Sequence, residues 1–288
     1  MAIVKKFTLR TIDSPGIGLA NPSYGFGNET KDQWLNSILN YVINGSSDPK
    51  AAVIPVARYA AGFASPRYDA TLFHNSVNTS NPVILADFQG ALLPASNMTA
   101  LSPITMAAFS HAVLPAFQPG GESNGLHQRF HVVSHAATKE AMDIVHDTFF
   151  DAVITQNLSS LADFFVGLAW NSITTKIIEA SNSGTGCPQK VLEEAVFWVE
   201  EAFTWGDGAD DAMIESFVLS VNANITTQLE AINATRAYNY LNDADEDQKV
   251  LEGYPAENVV RLKEIRSKYD PLMIYTNLMP GGWKVAND

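Results

Sequence analysis

Cysteine is all but missing from this sequence. Cys187, in "SNSGTGCPQK", is alone, so no internal disulfide can form, and no Cys-x-x-Cys or Cys/His spacing offers a metal site. An ordinary loop thiol is its simplest reading. Basic charge is scarce as well: Lys+Arg total 18 against 31 Asp+Glu, a net charge of −13, with no basic cluster. A phosphate backbone or an anionic membrane surface would be repelled, so neither nucleic acid nor membrane is expected as a partner. No apolar run approaches the ~20 residues of a membrane span. The N-terminus lacks the apolar stretch of a secretory signal, so the chain as written reads as cytoplasmic. No Ser-His-Asp arrangement, P-loop or His-Glu-x-x-His is present. "WGDGADDAMIE" lacks the alternating acids of a calcium loop, and its acids suit a helix start instead.

What the sequence does hold is apolar. Hydrophobic residues make up 46% and charged residues 17%, a globular profile for one large domain or two modest ones. Asn-x-Ser/Thr sequons at Asn28, Asn44, Asn78, Asn97, Asn157, Asn224 and Asn233 hint at a secreted lineage.

Along the chain, 3–12, "AAVIPVARYAAGF", "PVILADFQGAL", 127–135, "ADFFVGLAW", "AVFWVEEAFTW" and 236–243 have strand character. Pro55 marks an edge or a bulge in the first long strand. Helical stripes run through 31–43, 137–154, the region from Asp210 to Ile232, and 256–269, the last stopping at Asp270-Pro271. A short helix is expected over 102–114, capped by Ser102 with Pro103 at its first position. Strands and helices are interspersed, which gives an α+β class: an antiparallel or mixed β-sheet covered by helices.

The segment "AYNYLNDADEDQKVLEGYPAENVVRLKEIRSKYDPLMIYTNLMPGGWKV" (237–285) carries an ordered series. It holds Tyr240, Asn242, Ala244 and Asp245, then Gln248, Tyr254, Asn258, Arg261-Leu262, Lys268 to Pro271, and Pro280-Gly281-Gly282-Trp283-Lys284. That series resembles the terminal segment of fungal FAD-linked oxidoreductases of the berberine bridge enzyme type. The opening "AIVKKFTLRTI" resembles the strand that ends that family's FAD-binding domain. The resemblance implies residues 1–14 as the remnant of that strand, 15–235 as a substrate domain and 236–288 as the berberine-like segment. It also implies a hydrophobic strand after Pro271, and a FAD-binding domain that should stand in front of this chain. The Gly-Gly pairs at 120–121 and 281–282 do not lie between a strand and a helix N-terminus, so the chain alone is expected not to retain FAD.

The resemblance places Tyr240 beside flavin and substrate as a proton-removing residue. Asp243 stands where the family has a second tyrosine, so that role is either lost or taken by a carboxylate base. Asn242, Tyr254 and Asn258 are expected on the cofactor side. Tyr238, Tyr240 and Asn242 share a face if 236–243 is a strand; the bland reading is a packed aromatic face. His127, Arg129, His131 and His135 alternate along 127–135 and project from one face. Histidines four apart lie ~13 Å from each other on a strand, too far to share a metal. They form either a polar substrate wall or a solvent face, with Phe130 and Val132 turned to the core. Trp170, with Trp198 and Trp205, lines either core or pocket.

Two functions follow. One is the substrate-binding half of an oxidoreductase acting on an alcohol, amine or natural-product scaffold, completed by a FAD-binding polypeptide or within a homo-oligomer. The other is a flavin-independent cyclase or isomerase that works by orientation and hydrogen bonds. An inactive fragment or ligand-binding protein stands behind both.

Overall fold

The computed structural model describes residues 16–76, 82–91, 100–121, 123–183, 189, 194–279 and 282–285. The expected strand at 3–12, Cys187, Pro280-Gly281 and the sequons at Asn78 and Asn97 lie outside them. In chain order the elements are β1 (Ile17–Ala20), β2 (Ser23–Phe26), α1 (Asn28–Asn44), β3 (Ala51–Ala60), β4 (Arg67–His74) and β5 (Ser102–Ile104). These are followed by α2 (Met106–Val113), β6 (His127–Ala136), α3 (Lys139–Thr155), β7 (Phe165–Ile173), α4 (Thr175–Ser183) and β8 (Val196–Trp205). The chain continues with α5 (Asp211–Ala231), α6 (Ala256–Tyr269) and α7 (Ile274–Leu278).

All strand pairings are antiparallel, in the order β5-β1-β4-β3-β7-β8-β6, with β2 also on β4. The α+β class holds, and the sheet is wholly antiparallel. One face is dry. Alternate strand residues Val53, Ala57, Tyr59, Val166, Leu168, Trp170, Phe197, Val199 and Phe203 pack against the stripes of three helices. Those stripes are Trp34, Leu35, Ile38 and Val42 of α1, Phe149 and Val153 of α3, and Phe217, Val221, Ile225 and Leu229 of α5. Burying side chains of this size is worth roughly 1.5–3 kcal/mol each, so this layer carries the fold. The cap of α3 is Thr138, whose hydroxyl accepts the Ala141 N–H at 3.3 Å.

The opposite face of the sheet stays half-exposed. Its positions include Arg58, Arg67, Asp69, Ala169, Trp198, Glu200 and Ala202. A second, smaller cluster gathers at one end, where Ile173, Val196 and Trp198 meet Tyr238, Val250, Tyr254 and Trp283 of the C-terminal segment.

Four local expectations are corrected. Residues 83–89 form a 3₁₀ helix, not a strand, with Leu85 and Phe88 buried. Ser102 and Pro103 belong to β5, and Thr105 caps α2 by accepting the Ala108 N–H at 3.0 Å. Residues 236–243 are irregular, joined to β6 through the bridge between His135 and Thr235. The segment after Pro271 is the short helix α7. Pro55 sits within an interior strand. The Ala70 N–H opposite it turns away to Pro22, which makes Pro55–Ala70 a non-hydrogen-bonded pair. Its missing N–H falls on the β7 side, where pairing stops at Val56, so no ladder bond is lost.

β6 is the last strand, and the C-terminal segment seals its rim. The Ala136 N–H donates to Ala234 and the Arg236 N–H to Ser134. The Gln248 side chain accepts the Val132 N–H at 2.9 Å and donates to the Val132 carbonyl at 2.8 Å, as a neighbouring strand would.

Candidate functional site

The helix-free face and the segment lying over it meet at Trp198. Tyr240 stacks on the Trp198 indole with ring centroids 5.1 Å apart and planes 13° from parallel. Tyr238 packs on the same indole at 4.8 Å, and Tyr254 stacks on Tyr238 at 5.8 Å. Asn242 Nδ2 donates to the Tyr240 hydroxyl oxygen at 2.7 Å, which leaves the phenolic O–H to donate elsewhere. Trp283 Nε1 donates to the Leu241 carbonyl at 3.1 Å and ties the end of the chain to this loop. So Tyr238, Tyr240 and Asn242 are brought together, but by an irregular loop folded on Trp198 rather than by strand alternation.

Two carboxylates join this platform. Glu200 follows Trp198 on the same face of β8, opposite Ala169 and Val132. Burial raises the Glu200 pKa, and the Asp243 charge adds to the rise. Burial also raises the pKa of Asp243. Carboxylates pushed upward beside an aromatic platform are suited to proton transfer nearer neutral pH. The sequence analysis missed Glu200. Its signal is the pair Glu200-Glu201 within "FWVEEAFTW": adjacent residues on a strand face opposite sides, so one glutamate must point away from the core.

The other one points inward. Glu201 is fully buried on the helix side, accepts from Asn222 Nδ2 at 2.7 Å, and is pushed up to about 8 by burial.

The remaining expected residues fall elsewhere. His127, Arg129, His131 and His135 do share a face, the helix-covered one; His131 and His135 are shielded there, while His127, its side chain 41% exposed, borders with Arg129 a concavity of about 460 Å³. Phe130 is the residue that faces out, 41% exposed, contrary to its expected core position. His127 Nδ1 lies 3.0 Å from the Asp211 carboxylate at the start of α5. Arg129 grips Asp245 with Nε at 2.6 Å and Nη2 at 3.1 Å. Burial lowers the pKa of His131 to about 4. Trp170 is 0% exposed, wedged against Trp34 at 5.4 Å and His146 at 6.4 Å, and is therefore core rather than substrate wall. Tyr238 and Tyr254 are buried supports. Asn258 lies in the first turn of α6, its N–H donating to the Pro255 carbonyl.

A flavin has a flat ring and a diphosphate. The Trp198–Tyr240 platform fits the first. For the second, Gly120-Gly121 is the described glycine pair. There the Gly121 N–H is taken by the Gln118 carbonyl, and a Cβ at Gly121 would come within 2.2 Å of the Pro115 carbonyl oxygen. That turn spends the Gly121 N–H within itself, so this donor is not offered to a phosphate. Among the described residues no group of His, Cys, Asp and Glu could hold a metal ion, and no helix is long and apolar enough to cross a membrane.

No protein-family model matches the chain. The FAD-dependent monooxygenase prx3 of Penicillium roqueforti is 28% identical over 170 residues, 56% of this chain and 33% of its own. The FAD-dependent monooxygenase tpcD of Cochliobolus heterostrophus is 22% identical over 263 residues, 86% of this chain and 48% of its own. Among solved structures, a glycopeptide hexose oxidase in complex with teicoplanin superposes with a TM-score of 0.65 at 13% identity, covering 95% of this chain and 56% of that one. A carbohydrate oxidase from Microdochium nivale gives 0.58 at 13%, with the same coverage. The chain thus spans between a third and somewhat over half of the length of these four proteins.

Proposed function

From a chain related in sequence and fold to FAD-linked oxidoreductases of the berberine bridge enzyme type, we propose the substrate-facing half of such an enzyme, with the helix-free sheet face as its working surface. Residues 15–235 act as the substrate domain and 236–288 as the segment that closes over it. When bound, FAD supplies the two-electron oxidation. Trp198 and Tyr240 bear on its ring side, while the diphosphate is held by a FAD-binding half outside the described residues. Alone, the chain does not retain the cofactor.

The observation that carries this reading is Tyr240, Asn242 and Asp243 folded over Trp198, beside Glu200, on the face the helices leave open. An Asp243 carboxylate oxygen takes the proton of a substrate hydroxyl or amine. Burial, which raises its pKa, makes it a stronger base than a free aspartate. The Tyr240 O–H, with its oxygen already accepting from Asn242, donates to the same substrate atom and fixes its orientation. Glu200 holds a second proton site alongside.

A second reading, a flavin-independent cyclase or isomerase, draws on the same two carboxylates, since acid–base work needs no redox partner.

The test is to mix the purified chain with the FAD-binding half of a relative and supply small alcohols, amines and sugars. A flavin-coloured complex that produces hydrogen peroxide, silenced by Asp243→Asn, is the expected result. A mixture that never takes up flavin sinks the redox reading and leaves the cyclase.

A further inference from the structure

Away from Trp198, the helix-free face holds a second polar feature. Arg58 and Arg67 stand directly opposite each other on β3 and β4. Like charges in that register repel, so a reason for them is needed. Among the described residues Asp69 is the one carboxylate paired with both, 3.4 Å from Arg58 Nε and 3.7 Å from Arg67 Nε; Ser23 donates to Asp69 and accepts from Arg67 Nη2 at 3.1 Å. One carboxylate shared by two guanidiniums leaves a net positive charge on a strongly acidic chain. Arg58 Nε is buried and meets the Asp69 carboxylate as an ion pair at 3.4 Å rather than through an aligned hydrogen bond. The two arginines border a concavity of about 390 Å³ whose walls include Phe63 and Phe165.

The sheet register connects this feature to the platform. Asp69, Val56, Ala169 and Glu200 form one row across four strands, and Arg67, Arg58, Gly167 and Ala202 form the next. Three strand spacings separate Asp69 from Glu200, about 14 Å. The floor between the walls is therefore Val56, Gly167, Ala169 and Ala202. Packing does not demand a glycine there: a Cβ at Gly167 would meet Val56 Cγ1 at 3.4 Å and the Ala57 carbonyl oxygen at 3.6 Å, ordinary contacts. Its missing side chain leaves the floor open at that point, one of the uses of a glycine inside a strand.

We infer that the helix-free face binds a small molecule bearing a carboxylate, seated on Arg58 and Arg67 beside Phe63 and Phe165, with its apolar body lying across Gly167, Ala169 and Ala202 and its reacting end toward Tyr240 and Asp243. Forked guanidiniums hold a carboxylate through two parallel bonds and would hold a phosphate in the same way, so the carboxylate is assigned for the apolar body that the small-residue floor would take. The inference rests on the helix-free face being the working surface, and it narrows the substrate class to acids or their conjugates.

The probes are 2-naphthoate and its neutral analogue 2-naphthamide, titrated calorimetrically into the full chain without flavin. Naphthoate is expected to bind at least about tenfold more tightly than the amide. Arg58→Gln and Arg67→Gln should each erase that preference, while Ala169→Phe, or Gly167→Val if the first is misfolded by circular dichroism, should weaken both probes. Equal affinity for acid and amide overturns the inference, as does unaltered naphthoate binding in R58Q or no binding of either probe. Displacement of naphthoate by inorganic phosphate at equal concentration overturns the carboxylate assignment. Because the titration uses no flavin, its failure leaves the oxidase test standing, and failure of that test leaves the titration intact.

Discussion

Trp198 of β8 and Tyr240 of the C-terminal segment lie nearly parallel, 5.1 Å apart, and this contact holds the loop that carries Asn242 and Asp243. The ring and the hydroxyl of Tyr240 can be separated by mutation. Tyr240→Phe keeps the stack and forfeits the bond from Asn242, at a cost of about 1 kcal/mol in urea unfolding. Trp198→Ala removes the platform itself and should cost about 3 kcal/mol. Limited proteolysis of W198A should cut first within 236–253.

Glu201 supplies a pH signature. Its carboxyl is raised from 4.5 to about 8, so the folded state holds a proton that the unfolded chain releases near its ordinary pKa. The associated stability is complete below about 4.5 and is lost as pH rises through about 8. Glu201→Gln, which mimics the protonated form, should gain on the wild type between pH 5 and 8 and match it at pH 4. Urea midpoints at the three pH values check this.

Asp243 and Glu200 should report on each other. Carboxyl-carbon NMR titration should place both above the ordinary carboxylate range. Asp243→Asn should then bring Glu200 back down, because the Asp243 charge is part of what raises it. An unchanged Glu200 titration would mean that the two are not neighbours in solution.

Arg129 is a structural clamp here. Asp245 is buried, and both its oxygens are engaged by the guanidinium fork. Arg129→Ala leaves an uncompensated buried carboxylate and should cost about 3 kcal/mol. Arg129→Lys, which cannot form the fork, should recover only part of it. Both losses should appear in thermal unfolding without any change in the binding of small carboxylates.

Much of this fold was legible because periodicity reports burial. The stripes of α1, α3 and α5 and the alternation of β3, β7 and β8 are statements about which side chains avoid water. What periodicity cannot report is which face of a sheet the helices will cover. The His127–His135 row was placed correctly on one side of its strand, yet that side turned out to lie under α5. Trp170 and Trp198 look alike in sequence, but their strand positions put one in the dry layer and the other on the helix-free face. Residues 236–243 have strand composition; their hydrogen bonds go to the β6 rim and to Trp283, a tertiary choice that no local preference encodes. Arg58 and Arg67 went unremarked because their pairing exists only once β3 and β4 are in register.

The carboxamide of Gln248 has a consequence for how this protein meets other molecules. By occupying both the donor and the acceptor of Val132, it removes the place where an additional extended peptide would otherwise zip on at that border. Recruitment by backbone pairing is foreclosed at that point of β6. Gln248→Ala would reopen the border and expose it to edge-to-edge self-association.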